Sequence, residues 1–190
     1  NNEDIYYYLT LYNQDYSMPP MPSGIEDGIL RGMYLYRAAV QQAKHRAQLF
    51  GSGISVLDAL KAQEILAEKY DVAADVWSVT SYPELYRDGH AVERWNRFHP
   101  AEKPRVSHVT ECLGDTEGVI VAASDYVKLL PNGIDRWTPR PVVALGTDGF
   151  GRSEGRSSLR DFFEVDTKHI VAATLSELAR EGKVDPSVAK

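Results

Sequence analysis

The sequence predicts an α/β fold, a three-layer αβα sandwich in which a largely parallel sheet lies between two layers of helices. The apolar runs Val119–Ala123 and Val142–Leu145 are continuous, as expected for strands that are buried on both faces. Amphipathic helical patterns alternate with the strand patterns along the chain. With 43% hydrophobic and 25% charged residues, the 190-residue chain also has the composition of a folded domain.

The first regular elements are predicted around a glycine turn. Residues 48–50 end a strand, and Gly51-Ser52-Gly53 then turns the chain into a helix over 54–70, whose apolar side chains repeat on one face. A second strand is predicted over Val72–Val79. A helix is predicted over 83–98, because a proline at the first helical position loses no hydrogen bond.

The second half of the chain continues this alternation. One or two helical turns are predicted within 106–113, before the first of the buried strands. A short helix over 126–130 follows that strand and is ended by the Pro-Asn-Gly sequence after it. The last helix is predicted to begin at Asp166 or Thr167, either of which can cap it, and to stop at Gly182.

The first 22 residues are predicted to lie outside this domain. Residues 5–12 are aromatic and β-prone but have no neighbouring strand, and three prolines between 19 and 22 break regular structure. We therefore expect residues 1–22 to be the tail of a preceding domain with an interdomain linker, and residues 23–190 to form the αβα domain. Because an initiator methionine is also absent, we expect the chain to be a piece of a longer protein.

Charge and composition exclude several classes of function. The net charge of −6 and the scattered Lys and Arg residues argue against nucleic acid as a partner. No apolar run approaches the ~18 residues of a membrane helix, so no membrane partner is expected. The single cysteine, Cys112, excludes an internal disulfide framework and favours a reducing compartment, with the cytoplasm as the expected location.

Each candidate for chemistry has a structural alternative. Gly51-Ser52-Gly53 could bind a phosphate, but it lacks the third glycine of a Rossmann fingerprint and the lysine of a P-loop, so a plain turn is the alternative. A metal could bind to His99, Glu102, His108 and Cys112, but the closely paired ligands typical of zinc sites are absent from this sequence. With His108 as its base Cys112 could be a nucleophile, or it could be a small buried hydrophobe. We assign no catalytic, cofactor-binding or metal-binding residue.

The densest motif is the glycine-rich loop that follows the last predicted strand. It contains Asp148, Phe150 and Arg152 at the carboxyl end of a buried strand, where open α/β sheets tend to carry ligands or contacts. In a structural role, Asp148 would accept hydrogen bonds from backbone N–H groups, and Arg152 and Arg156 could pair with it or with Glu154. In a functional role, the loop would make a subunit contact. Asp148, Phe150 and Arg152 are therefore the loop and interface candidates.

This loop is also part of a resemblance that extends over nearly the whole chain. The sequences VALGTDGFGRS at 143–153 and FFEVD at 162–166 resemble the closing segment of a transketolase-type C-terminal domain. Similar blocks elsewhere are YYLTLYN at 7–13, GILRG at 28–32, DVWSVTS at 75–81 and ERWN at 93–96. Within that family, the version that the chain resembles most belongs to the homodimeric bacterial pyruvate dehydrogenase E1 component.

The resemblance implies a parent enzyme that decarboxylates pyruvate with thiamine diphosphate and Mg²⁺ and then acetylates the lipoyl group of the E2 lipoyl acetyltransferase. The implied partners are the other E1 domains, a second E1 subunit and E2, in the bacterial cytoplasm. In the family the cofactor is held by domains that this chain lacks, so an architectural and dimerisation domain, inactive alone, is expected here. Two alternatives stay open: the corresponding domain of a transketolase or another thiamine diphosphate enzyme, and a stand-alone α/β module that binds a phosphorylated ligand at its two glycine loops.

Overall fold

A five-stranded sheet forms the centre of the computed structural model, which describes residues 3–9, 11–17, 19–40 and 42–189. The strands are β1 (Met33–Arg37), β2 (His45–Gly51), β3 (Val72–Val79), β4 (Val119–Ala123) and β5 (Val142–Leu145). Their order in the sheet is β1-β3-β2-β4-β5. The pairs β2–β3, β2–β4 and β4–β5 are parallel, whereas β1 runs antiparallel to β3 and has a register shift between Leu35 and Arg37.

Helices cover both faces of this sheet. They are α1 (Glu26–Arg31), α2 (Ser55–Tyr70), α3 (Tyr82–Phe98), α4 (His108–Leu113), α5 (Leu129–Asn132), α6 (Arg156–Phe162) and α7 (Thr167–Arg180), with 3₁₀ turns at Asp135–Trp137 and Pro186–Ala189. On one face, α2 and α7 pack against Leu49 and Val121, and on the other, α3 and α4 enclose Phe50 and Trp77. The predicted three-layer αβα sandwich with a largely parallel sheet is confirmed.

Local signals in the sequence account for the starts of α3 and α7. The Ser81 hydroxyl accepts a hydrogen bond from the backbone N–H of Glu84 at 3.2 Å and caps α3. The Asp166 carboxylate accepts one from the N–H of His169, also at 3.2 Å, and caps α7 as the sequence predicts. Strands β3, β4 and β5 have the predicted bounds, and α2 and α3 begin within one residue of the predicted positions.

The prediction of a helix over 126–130 is wrong, since α5 begins only at Leu129. The Ser124 hydroxyl accepts the N–H of Tyr126 at 3.0 Å, and the Asp148 carboxylate accepts the N–H of Lys128 at 3.0 Å. These two hydrogen bonds satisfy the N–H groups in a turn and delay the helix. The elements α1, β1 and α6 were not predicted from the sequence.

The described residues of the β-prone stretch 5–12 do not join this sheet, and the assignment of the stretch to a preceding domain stays a prediction. Residues 5–9, 11 and 12 have no regular structure, and no strand among the described residues pairs with them. A strand without neighbouring strands is not stable alone. Residue 10 of that strand, and the outer ends of the two predicted domains at residues 1 and 190, lie outside the described residues. The division of the chain into domains at residue 22 remains a prediction.

Candidate functional site at the carboxyl edge of the sheet

The neighbouring strands β2 and β4 form a topological switch point at the carboxyl edge of the sheet. The chain leaves β2 through α2 to β3 on one side, whereas β4 lies on the other side and leads to β5. Gly51-Ser52-Gly53 ends β2, Ser124-Asp125 follows β4, and the N–H of Ser52 donates to the Ala123 carbonyl at 3.2 Å. Open α/β sheets bind ligands in the crevice at such a point. The carboxyl edge of the sheet is therefore the candidate functional site.

Tyr12, from the N-terminal part of the chain, reaches into this crevice and lines it. Its hydroxyl donates a hydrogen bond to Asp125 Oδ2 at 3.1 Å and lies beside the glycine turn, where a Cβ atom at Gly53 would be 3.2 Å from it. Burial and then the Asp125 carboxylate raise the pKa of Tyr12, so its hydroxyl stays neutral. Tyr12 thus occupies space beside the start of α2 from which a phosphate would approach the backbone N–H groups. The arrangement favours a plain turn at residues 51–53.

Arg160 on α6 joins three parts of the molecule beside the crevice. Its Nη1 donates to Asp125 Oδ1 at 2.8 Å, and its Nη2 donates to Asp58 Oδ2 on α2 at 2.7 Å. The hydroxyl of Thr167, the first residue of α7, donates to the other oxygen of Asp58 at 2.7 Å. The Arg160 and Asp58 side chains are only 14% and 17% exposed, so their charges are held in place by these partners. The arrangement is a structural clamp between helices.

A cleft of about 590 Å³ opens next to this clamp. On its rim the Arg156 guanidinium donates to Asn13 Oδ1 at 2.6 Å and lies over the rings of Tyr12 and Tyr16. The described lining residues are Asn13, Gln14, Asp125, Thr147, Glu154, Arg156, Leu159, Arg160, Phe163 and Val165. Among them no serine, cysteine or histidine is present, and the Thr147 hydroxyl donates to the backbone carbonyl of Asp125 instead of to a base.

The three loop candidates lie at the same edge but do not form one group. Asp148 Oδ1 accepts the backbone N–H of Lys128, and Lys128 Nζ lies 3.8 Å from Asp148 Oδ2. Asp148 therefore holds the chain segment before α5 instead of its own loop. Arg152 lies over the ring of Phe162, with its Cζ 5.3 Å from the ring centre, and Phe150 is 93% exposed. The Glu154 carboxylate accepts the N–H of the next residue, Gly155, at 2.8 Å.

The predicted metal candidates are not brought together. Among the described residues, the side chains close enough to share a metal ion are Asp161, Asp166 and His169, and none of the four candidates belongs to that group. Asp161 is ion-paired with Lys168, and Asp166 caps α7, so these carboxylates already have partners. The group therefore does not fit a resident metal ion.

Cys112 and His108 do approach each other, with 3.7 Å between Cys112 Sγ and His108 Nε2. The same Nε2 lies 2.9 Å from the backbone carbonyl oxygen of Met33. Burial is the main reason why the pKa of Cys112 is raised to about 11, so the thiol stays protonated near neutral pH. This geometry supports the small, half-buried hydrophobe rather than the nucleophile.

The clamp of Arg160, Asp58 and Asp125 was not predicted from the sequence. The rule that pointed to Asp148, a polar residue at the carboxyl end of a buried strand, applies equally to Asp125 after β4. No local pattern relates Asp58 or Arg160 to it, because Arg160 is 102 residues from Asp58 along the chain.

A family model described as the transketolase-like TK C-terminal domain matches residues 32–166. This range includes all five strands and the whole switch point. The chain belongs to this family. As a transketolase-like C-terminal domain, it has the order of strands and helices described above. Among the described residues of the domain, no helix is long and apolar enough to cross a membrane.

Proteins named pyruvate dehydrogenase E1 component are similar to this transketolase-like domain over nearly its whole length. The protein from Pseudomonas aeruginosa is 48% identical over 187 residues, which are 98% of this chain and 21% of that protein. The protein from Escherichia coli K12 is 45% identical over 98% of this chain and 21% of its own length. This chain thus spans about one fifth of the length of these relatives and matches their C-terminal region.

Solved structures of transketolases share the fold. Transketolase from Leishmania mexicana superposes with a TM-score of 0.53 at 19% identity, covering 82% of this chain and 19% of that one. A Pichia stipitis transketolase in complex with sedoheptulose 7-phosphate gives a TM-score of 0.54 at 16% identity, covering 83% of this chain and 19% of that one. At these identities the likeness concerns the fold alone.

Proposed function

We propose that this chain is the C-terminal domain of a pyruvate dehydrogenase E1 component and that it serves the assembly of the enzyme rather than its chemistry. The observation that carries the proposal is the 48% identity to the Pseudomonas aeruginosa E1 component over 98% of the chain. The parent enzyme would decarboxylate pyruvate and acetylate the lipoyl group of E2. The bacterial cytoplasm is the location that we propose for it.

The chemistry of the edge supports an architectural role. The carboxylates and guanidinium groups of the crevice and clamp bind one another, and Tyr12 lines the switch point. None of these described side chains pairs a nucleophile with a base that a substrate could reach. What the edge does present is large apolar side chains.

Three of these apolar side chains lie in different segments of the carboxyl edge. Leu30 on α1 is 78% exposed, Leu129 at the start of α5 is 75% exposed, and Phe150 in the glycine loop is 93% exposed. Exposed apolar and aromatic side chains of this kind mark contact surfaces. We propose that this edge contacts other E1 domains or the second E1 subunit of a homodimer.

The residues of this chain do not fit thiamine diphosphate with Mg²⁺. The one described group with metal-ligand spacing has its carboxylates engaged by Lys168 and by the α7 N-terminus, and the start of α2 faces Tyr12 and the acidic Asp125. A diphosphate would be repelled by that carboxylate. We therefore propose that both cofactors bind to parts of the longer enzyme outside this chain.

The replacement of Phe150 by serine in the full-length E1 enzyme tests the contact role. We expect Phe150→Ser to shift the monomer–dimer equilibrium toward monomer, measured by analytical ultracentrifugation, because an apolar contact is lost. The control is Val40→Ser, which removes an apolar side chain of 94% exposure from the segment after β1, away from the carboxyl edge. If Phe150→Ser abolished turnover while the dimer stayed intact, the loop would act in catalysis, and the architectural role would be wrong.

A further inference from the structure

The far end of α3 carries an exposed cluster of aromatic and cationic side chains, which we call the α3 patch: Arg94, Trp95, Phe98, His99 and Arg105. With Ala91 they line an open cleft of about 400 Å³. Phe98 is 63% exposed, and the Arg94 guanidinium lies 5.2 Å from the centre of its ring. Tryptophan, phenylalanine and arginine are the residue types enriched where proteins bind one another.

The α3 patch is held in one arrangement by its own contacts. The His99 ring stacks on Trp95 at 4.2 Å with an angle of 8° between the planes, and His99 Nδ1 lies 2.7 Å from the Trp95 carbonyl oxygen. The Arg105 guanidinium lies 3.9 Å from the centre of the Trp95 ring. Asn96 fixes Arg105, since its amide donates to the Arg105 carbonyl at 3.0 Å and accepts the Arg105 N–H at 2.8 Å. A surface ordered in advance loses less entropy when a partner binds.

Positive charge is concentrated at this place in an acidic chain. Between residues 94 and 105 there are four cationic residues, Arg94, Arg97, Lys103 and Arg105, and one acidic residue, Glu102, whereas the chain as a whole carries −6. Within the described part of the chain, none of the four forms an ion pair, and the nearby Glu93 is already paired with Arg136. Four of the 21 Lys and Arg residues are therefore close together at one end of α3.

The α3 patch also lies away from the segment that precedes the domain. Helix α3 starts directly after β3 at the carboxyl edge, and its 17 residues carry the chain to the opposite edge of the sheet. A helix of that length spans about 25 Å. Tyr12 and Asn13 contact the carboxyl edge, and none of the described N-terminal residues lines the cleft of the patch.

We propose that the α3 patch docks an acidic segment of a separate polypeptide, with its carboxylates on Arg94 and Arg105 and an apolar side chain against Phe98 and Trp95. Charge complementarity carries this choice, because Arg94 and Arg105 line the cleft without an ion-pair partner among the described residues, and Arg97 and Lys103 are near them along the chain. A nucleic acid would extend beyond the cleft and bring further phosphates close to the negative charge of the remaining surface, whereas a short acidic segment can end within the α3 patch. The inference does not depend on the proposed enzymatic parent.

Titration calorimetry on the 190-residue chain tests the proposal, with a synthetic peptide of alternating Asp and Glu around one central Leu as the probe. We expect saturable binding that weakens when NaCl is raised from 20 to 300 mM, because exposed ion pairs are screened. Arg94→Glu and Arg105→Glu should each weaken binding by about fivefold or more, since a pair is lost and a repulsion is added. Both side chains are exposed, so the folded state is retained, which thermal unfolding verifies.

The control is Lys61→Glu on the exposed face of α2, which makes the same change of net charge outside the patch and should leave the affinity unchanged. A peptide with Lys in place of Asp and Glu should not bind. The proposal is overturned if the acidic peptide shows no saturable binding, or if Lys61→Glu weakens it as much as Arg105→Glu does. It is equally overturned if a single-stranded oligonucleotide or an anionic phosphatidylserine vesicle binds at the patch more tightly than the peptide.

Discussion

Tyr82 lies in the core between the sheet and α3 with 3% of its surface exposed, and its hydroxyl has no hydrogen-bond partner among the described residues. Burial raises the pKa of Tyr82 far above its usual value near 10. The folded protein therefore keeps this proton at a pH at which the unfolded chain releases it. The resulting stability is complete below pH 10 and is lost as the pH rises above 10.

We expect Tyr82→Phe to leave the free energy of unfolding at pH 7 unchanged or to raise it by about 1 kcal/mol, because an unsatisfied buried hydroxyl is removed. Between pH 9 and 10.5 the wild type should lose about 0.8 kcal/mol more than the variant. Urea unfolding at the three pH values measures both effects. Tyr86→Phe, at a tyrosine with 47% exposure, is the control and should follow the wild type. A loss above about 1 kcal/mol in Tyr82→Phe would mean that the hydroxyl has a partner.

The Asp148 side chain is 53% exposed. It therefore contributes less to the free energy of unfolding than a buried carboxylate in the same loop would. We expect Asp148→Ala to lower the free energy of unfolding by about 1 kcal/mol or less. In double-mutant cycles it should couple to Lys128→Ala, its ion-pair partner, and not to Arg152→Ala, whose guanidinium lies over Phe162. Coupling to Arg152 alone would contradict the arrangement of this loop.

At the scale of elements, the pairing of β2 with β4 depends on a close approach at Gly118. This glycine precedes β4 with φ of +90°, and a Cβ atom there would lie 1.9 Å from the Arg46 carbonyl oxygen on β2. Both the conformation and the space exclude a side chain. The contact is between two backbones, so rotation of a side chain cannot relieve it.

Gly118→Ala should therefore lower the free energy of unfolding by about 3 kcal/mol or more, measured by urea unfolding. Gly151→Ala is the matched control, because nothing lies within 4 Å of its Cβ position and its φ lies outside the left-handed region. We expect the control to be neutral or slightly stabilising. Equal stability of the two variants would show that β2 and β4 can separate at this point at little cost.

At the scale of the whole molecule, the N-terminal segment has a free part and a docked part. The side chains of residues 5–9 are 60% to 90% exposed, whereas Tyr12 and Asn13 bind to Asp125 and Arg156. A segment without partners is open to proteases, and a docked one is protected in proportion to its contacts.

Chymotrypsin should cut within residues 5–9 before it cuts the αβα domain, as followed by mass spectrometry. Removal of the docking contacts in a Tyr12→Phe, Arg156→Gln double variant should raise the rate of cleavage near residue 16, because both hydrogen bonds to the segment are lost. Arg180→Gln, at an exposed arginine on α7, is the control and should not change that rate. Protection of residues 5–9 would mean that this stretch docks on a second copy of the chain.

The sequence by itself determined the elements whose signals are local. Continuous apolar runs define β4 and β5, helical spacing defines α2, and short-range caps such as Ser81 and Asp166 define where α3 and α7 begin. These patterns lie within one helical turn or one strand, so they predict an element without any knowledge of the fold. The resemblance in the loop after β5 also lies in neighbouring residues, and the family match confirms it.

Only the tertiary structure decided which distant residues meet. Strand β1 is defined by its antiparallel pairing with β3, and the short α5 is displaced by a hydrogen bond from Lys128 to Asp148, 20 residues away. Tyr12 reaches Asp125 across 113 residues to line the switch point, where the glycine turn alone had suggested a phosphate site. Such contacts depend on how the packed layers bring chain segments together, and hydrophobic periodicity, which reports only the burial of each residue, carries no information on them.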